Sequence, residues 1–173
     1  MQQRAALAAH IPDLRRYARA LTGDAWAADD LVQDTLERAC ARWHLWAAGT
    51  DLRPWLFTLM HNLFIDGVRR AVRQQQGQRV DVDDVGNELV APAGATDQAL
   101  DLQRCLLRLP DEQREVLLLV TLQDLGYEEV ARITGVPVGT VMSRLSRART
   151  RLRELMDGRG AAEPVAPPLR RLK

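Results

Sequence analysis

Long apolar runs are missing from this chain of 173 residues. Nothing in it approaches the roughly 18 consecutive apolar residues of a membrane span. The most apolar stretch, Val116 to Leu122, reads as a short buried helix segment. The N-terminal MQQRAALAAHIPDL lacks the continuous apolar region and cleavage site of a secretory signal, so a cytoplasmic location is expected. Cysteine is scarce: Cys40 and Cys105 stand far apart in no metal-ligand spacing, which fits small apolar residues in a reducing compartment. His10, His44 and His61 do not cluster in sequence. A phosphate-cradling glycine loop, a nucleophile motif and a triad signature are all lacking. These absences argue against an enzyme, a metal site, a cofactor and a small-molecule substrate. Alternation of apolar and polar residues is missing too, as is any internal repeat, which leaves an all-α fold.

Lysine is nearly absent. Every basic residue except Lys173 is arginine, the side chain whose planar donors suit phosphate and guanine. The net charge of +1 hides a segregation. Residues 1–70 carry +1, residues 71–98 carry −3, residues 99–135 carry −3, and residues 136–173 carry +6. A phosphate backbone responds to that local positive field and not to the average.

Apolar spacing and turn signals predict two small helical domains joined by a flexible linker. In the first, Leu7, Ile11, Leu14, Tyr17 and Leu21 recur at helical spacing. Thr22-Gly23-Asp24 breaks this helix, and Asp24 is placed to cap the next. The second helix is expected to reach about Trp46, with Leu31, Val32, Leu36, Ala39 and Trp43 facing inward. A third follows Thr50 or Asp51, tolerates Pro54 in its first turn, and turns Leu52, Leu56, Leu59, Leu63 and Val68 inward. Residues 1–73 form this domain. Residues 74–98 are acidic and contain Gly and Pro without sustained period, and read as a linker. The second domain is assigned to residues 99–156. Leu100, Leu102, Cys105, Leu106 and Leu109 mark its first helix, Pro110 ends that helix, and Asp111 is placed to cap the next. Residues 157–173 read as a disordered basic tail. A domain this small buries only about 60% of its unfolded surface, so each should be marginal without a partner.

The most informative stretch runs from Tyr127 to Leu155. It reads as a short helix, a turn at Gly135, and a longer helix starting at Pro137, with five arginines between Arg144 and Arg153. Such a helix-turn-helix places its second helix in a DNA major groove and reads base edges near that helix's N-terminus. Val141, Leu145, Ala148, Leu152 and Leu155 form the buried stripe. Gly139, Thr140, Met142, Ser143, Ser146 and Arg147 point away from it, and Arg144, Arg149, Arg151 and Arg153 flank it toward phosphates or solvent.

The run LPDEQREVLLLVTLQDLGYEEVARITGVPVGTVMSRLSRARTRLREL resembles the promoter-reading C-terminal domain of extracytoplasmic-function sigma factors. In the first domain, Ala28 to Asp34, continuing to Arg38-Ala39, resembles that family's polymerase-binding helix. Arg53-Pro54-Trp55-Leu56-Phe57, then Asn62, Asp66 and Arg69-Arg70, resembles its promoter-melting helix. The resemblance implies RNA polymerase core as partner, through Asp29, Asp30, Gln33, Asp34 and Glu37. It implies promoter DNA as a second partner, duplex upstream and melted strand downstream, and an anti-sigma factor as regulator. Asn62, Arg69, Arg70 and Arg73 share an outward surface suited to base edges and phosphates. Trp55 either stacks on unstacked bases or packs in the core. The resemblance makes the loop from Trp46 to Thr50 part of a pocket for a flipped base, and Asp66 is expected to hold the local arginines. Met142 stands where family members often carry a basic residue, and Gly126 where they often carry serine. Two other readings compete: an autonomous helix-turn-helix regulator, and a sigma-mimicking adaptor that binds an anti-sigma factor.

Overall fold

The computed structural model describes residues 2–46, 50–77 and 96–158. Among them are seven α-helices, one short 3₁₀ helix and no strand. Helix α1 spans Gln2–Thr22 and α2 spans Ala25–Ala41. Gly23 turns the chain between them at φ 73°, where a Cβ would be strained. The Asp24 carboxylate then accepts from the Ala27 N–H at 2.9 Å, the cap expected at this position; such caps contribute about 1 kcal/mol.

Helix α2 stops at Ala41, short of the Trp46 end expected, and a 3₁₀ helix covers Trp43–Leu45. Three residues per turn eclipse positions three apart. That brings the rings of Trp43 and Trp46 to 4.9 Å between centroids, and Trp43 meets Trp55 edge-on at 6.5 Å. Helix α3 spans Leu52–Gly77, past the Arg73 boundary expected. Its first turn is anchored by the Asp51 carboxylate, which accepts from the Arg53 N–H at 3.0 Å. Leu14, Tyr17, Leu21, Leu56, Phe57 and Met60 fill the space between α1 and α3, with Tyr17 and Phe57 edge-to-face at 5.1 Å.

Helix α4 spans Asp97–Leu107, α5 Asp111–Thr121, α6 Tyr127–Thr134 and α7 Val138–Met156. One local expectation is corrected. Asp111 is not the cap of α5: Pro110 occupies that position, and the Asp111 carboxylate accepts from Arg114 at 2.5 Å. Proline's fixed φ supplies the entry geometry without a side-chain cap. On α4, Leu102 is exposed and Leu106 buried, and Leu109 just beyond it is buried. The expected linker is shorter at both ends, because Gln74 to Gly77 continue α3 and Asp97 starts α4. Its remainder, 78–95, and the tail, 159–173, lie outside the described residues.

Helix α5 is the centre of the molecule. Val116, Leu117, Leu118 and Leu119 are buried, as the apolar run predicts, while Val120 and Leu122 are half-buried and Thr121 is exposed; Arg114 and Glu115, ahead of the run, are buried too. It packs on α7 and α6 on one side and on α1 of the first domain on the other. Buried residues of both domains therefore join one hydrophobic cluster. Each domain supplies the covering surface that a unit of its size lacks on its own.

Candidate nucleic-acid interface

Helices α6 and α7 form the helix-turn-helix expected. Gly135 sits at φ 68° and its N–H reaches back to the Ala131 carbonyl, a left-handed C-cap that glycine adopts without a Cβ penalty. The first turn of α6 has no side-chain cap on Gly126; instead the Glu129 carboxylate accepts from the Gly126 N–H at 3.1 Å. On α7, Val141, Leu145 and Ala148 are buried, and Leu152 and Leu155 are half-buried. The opposite face is open: Gly139, Met142, Ser143, Ser146, Arg147, Arg149, Arg151 and Arg153 are exposed, and Thr140 is half-buried.

The arginines differ in what holds them. Arg147 lies back along the helix, its Nε donating to the Ser143 carbonyl at 3.2 Å and its Nη2 to Ser143 Oγ at 3.3 Å. Ser143 Oγ in turn donates to the Thr140 carbonyl at 3.0 Å. Arg144 is paired with Glu112 of α5 at 2.5 Å, and only 19% of its side chain is exposed. Helix α7 itself carries no acid near Arg144, so its sequence gave no sign of this partner. The first-turn acid of α5 was the available clue, and only the packing of α5 on α7 makes it meaningful.

In the first domain, Asn62, Arg69, Arg70 and Arg73 are exposed along α3. Trp55, Asn62 and Arg69 are spaced seven residues apart, so they lie nearly in line along one face. Arg70 Nε donates to the main-chain carbonyl of Asp66 at 3.2 Å. Phe57 is core, at 1% exposure. Trp55 is half-buried; one side meets Trp43, and the other borders a cleft formed with Glu129, Arg132 and Ile133 of α6. Of the loop expected to form a base pocket, Trp46 and Thr50 are described, and residues 47–49 are not.

Helix α2 presents the acidic face. Asp30, Gln33, Asp34 and Glu37 are exposed and Asp29 is half-buried. Asp29 pairs with Arg15 of α1 at 3.0 Å, and Gln33 donates to Glu37 at 3.0 Å. Beside this face runs a groove between α1 and α2, floored by Ile11, Val32, Leu36 and Cys40. An apolar floor with a charged rim suits a helical partner, and the rim sets orientation more than affinity.

Another set of residues escaped sequence reasoning because its members lie far apart in the chain. Arg53 Nη2 donates to the Gln123 carbonyl at 2.6 Å and to Gln123 Oε1 at 2.9 Å. Gln123 is wholly buried, and its amide donates to the Asp13 carbonyl at 3.3 Å. His61 Nδ1 lies 2.5 Å from Glu115 Oε1, with the Glu115 side chain 2% exposed. Tyr17 is buried near the same carboxylate; burial first, and Glu115 second, push its hydroxyl pKa well above the ordinary value. Among the described residues, no group of three or more His, Cys, Asp or Glu side chains is placed to hold a metal ion. No described helix is long and apolar enough to cross a membrane.

A helical architecture with an open helix-turn-helix and a basic outer face is that of a helix-turn-helix nucleic-acid-binding protein. Comparison with known proteins narrows this. The family described as "Sigma2 domain of PhyR" matches residues 7–61, and "Sigma-70, region 4" matches residues 99–152. ECF RNA polymerase sigma factor EcfG of Rhodopseudomonas palustris is 39% identical over 158 residues, covering 90% of this chain and 85% of the relative. ECF RNA polymerase sigma factor SigM of Bacillus subtilis is 32% identical, covering 86% and 91%. The sigma factor RpoE of Bartonella quintana, solved in complex with the anti-sigma factor NepR, is 37% identical with a TM-score of 0.75, covering 87% of this chain and 94% of that one. The chain belongs to the extracytoplasmic-function family of RNA polymerase sigma factors.

Proposed function

We propose that this chain binds RNA polymerase core and directs it to a promoter, acting as a specificity subunit and catalysing nothing itself. One observation carries the reading: in a chain of this family, the acidic face of α2 and the outward face of α7 are both open to solvent. Asp29, Asp30, Gln33, Asp34 and Glu37 dock on the core enzyme. Gly139, Thr140, Met142, Ser143, Ser146 and Arg147 face the duplex, with Arg144 and Arg149 on phosphates. Asn62, Arg69, Arg70, Arg73 and Trp55 take the melted strand. Residues 1–73 and 99–156 are the working domains, in the cytoplasm. Two modest DNA contacts on one chain act together, because the first makes the second effectively intramolecular.

An anti-sigma factor is the proposed inhibitor; the similar RpoE was solved with one bound. The test is run-off transcription with purified core on a library of promoter fragments. Start-site selection conferred by the chain alone supports the reading; its absence refutes it. A second reading, a sigma-mimicking adaptor, is favoured by the match of residues 7–61 to the PhyR domain. Under that reading the chain binds an anti-sigma factor and confers no start site in the same assay.

A further inference from the structure

We propose that, with no partner bound, the second domain covers the start of α3 and so shuts the chain's own strand-reading helix, with Arg53–Gln123 and His61–Glu115 as the latch. The proposal rests on the assignment of α3 to the melted promoter strand.

The seam has the composition of a reversible contact. Gln123 of the second domain is wholly buried, and its carbonyl, Oε1 and amide are all satisfied by the first domain. Glu115 is buried on α5, and His61 Nδ1 meets its Oε1 from across the seam on α3. Gln103 adds a bond to the Ala20 carbonyl at 3.2 Å, and Arg16 one to the Leu122 carbonyl at 3.4 Å. These bonds are made to the other domain when the seam is shut and to water when it opens. Closure leaves Arg53 Nε buried without a hydrogen-bond partner and its charge against neutral oxygens of Gln123, a cost that opening removes. Apolar packing crosses the seam as well: Leu107 rests on Gly23, where a Cβ would come within 2.4 Å of its Cδ1, and buried residues of both domains share one cluster.

What closure hides is selective. The acidic face of α2 and the outward face of α7 remain exposed, as do Asn62, Arg69, Arg70 and Arg73. The covered part is the first half of α3. Arg53 is bound to Gln123, Trp55 faces α6, and His61, next to Asn62, is held by Glu115. A nucleic-acid strand following the line from Arg69 through Asn62 to Trp55 runs into α6. Opening the seam clears that path and frees Arg53 as a cation.

The test uses the full chain with Cys40→Ser and Cys105→Ser, carrying Arg19→Cys on α1, in the same cleft as Leu122, and Thr121→Cys at the end of α5. A disulfide-containing bismaleimide then joins the two across the seam. The expected result is efficient intramolecular cross-linking of the free chain, unchanged helical circular dichroism, and at least a ten-fold loss of run-off transcription with core. Reduction of the linker restores activity. Arg53→Ala with Glu115→Gln should lower the cross-linking yield several-fold while preserving helicity. Failure of the free chain to cross-link, or full-rate initiation from the cross-linked chain, overturns the proposal. If the uncross-linked cysteine chain and its wild-type parent both fail to direct initiation, the sigma reading falls instead. Cross-linking yield and its response to the latch variants still decide the closure.

Discussion

His61→Ala is the most direct probe of the seam's energetics. The substitution removes the imidazole 2.5 Å from Glu115 and leaves a carboxylate that is 2% exposed. Leaving a buried group without its hydrogen-bond partner costs about 1–3 kcal/mol. Here the charge has an escape, because parting the domains returns Glu115 to water. The cost is therefore capped by the free energy of closure. Urea unfolding followed by circular dichroism measures the total, and hydrogen exchange along α3 and α5 measures the opening. The expected outcome is a loss of up to about 3 kcal/mol, or a smaller loss with marked deprotection of residues around Arg53 and Gln123. Adding Glu115→Gln should recover part of the loss, with a coupling of about 0.5–3 kcal/mol. If His61→Ala falls within about 0.5 kcal/mol of wild type, the range of ordinary surface changes, and is additive with Glu115→Gln, the pair does not hold the seam.

Other expectations are more local. Leu145→Ala removes a side chain that is 3% exposed at the α5–α7 contact and should cost about 2–5 kcal/mol in thermal or urea unfolding. Gly135→Ala forces φ 68° on a residue with a Cβ; a loss of about 1–2 kcal/mol is expected, with weaker duplex binding. Arg147→Ala should lower the salt slope of promoter binding by about one unit while core association is retained; an unchanged slope removes Arg147 from the phosphate contacts. Glu112→Gln releases Arg144 from its ion pair, so promoter affinity should change with little change in core binding. Tyr17 is held protonated by burial and by Glu115. Its folded-state pKa lies above the unfolded value, so its contribution is intact below the ordinary value of 10.0 and is lost as pH rises from there toward the folded pKa. Urea midpoints should therefore fall above that pH by up to about 1.4 kcal/mol per unit from this group, and Tyr17→Phe should flatten the slope.

Periodic apolar residues made most of the secondary structure legible. Leu14, Tyr17 and Leu21 on α1, and Val141, Leu145 and Ala148 on α7, are buried as their spacing predicts. Asp24 and Gly135 mark a helix start and a helix end for local reasons that hold in any context. Expectations failed where the deciding partner was distant. Helix α2 ends at Ala41, and a 3₁₀ helix carries Trp43 against Trp46 and Trp55. The outward-facing residues of α7 were legible because they lie opposite the buried stripe. The ion pair of Arg144 was not, because Glu112 meets it only through the packing of α5.

The chain's local chemistry alone specified two helical units, a helix-turn-helix with a basic outer face, and an acidic face on α2, because each depends on residues within a few turns of one another. Tertiary structure alone decided that the two units share one hydrophobic cluster, and that Arg53 finds Gln123 and His61 finds Glu115. Those contacts join residues 54 to 70 positions apart. No periodicity reports such pairs; they exist only because burying apolar surface brings α5 against α1 and α6 against α3.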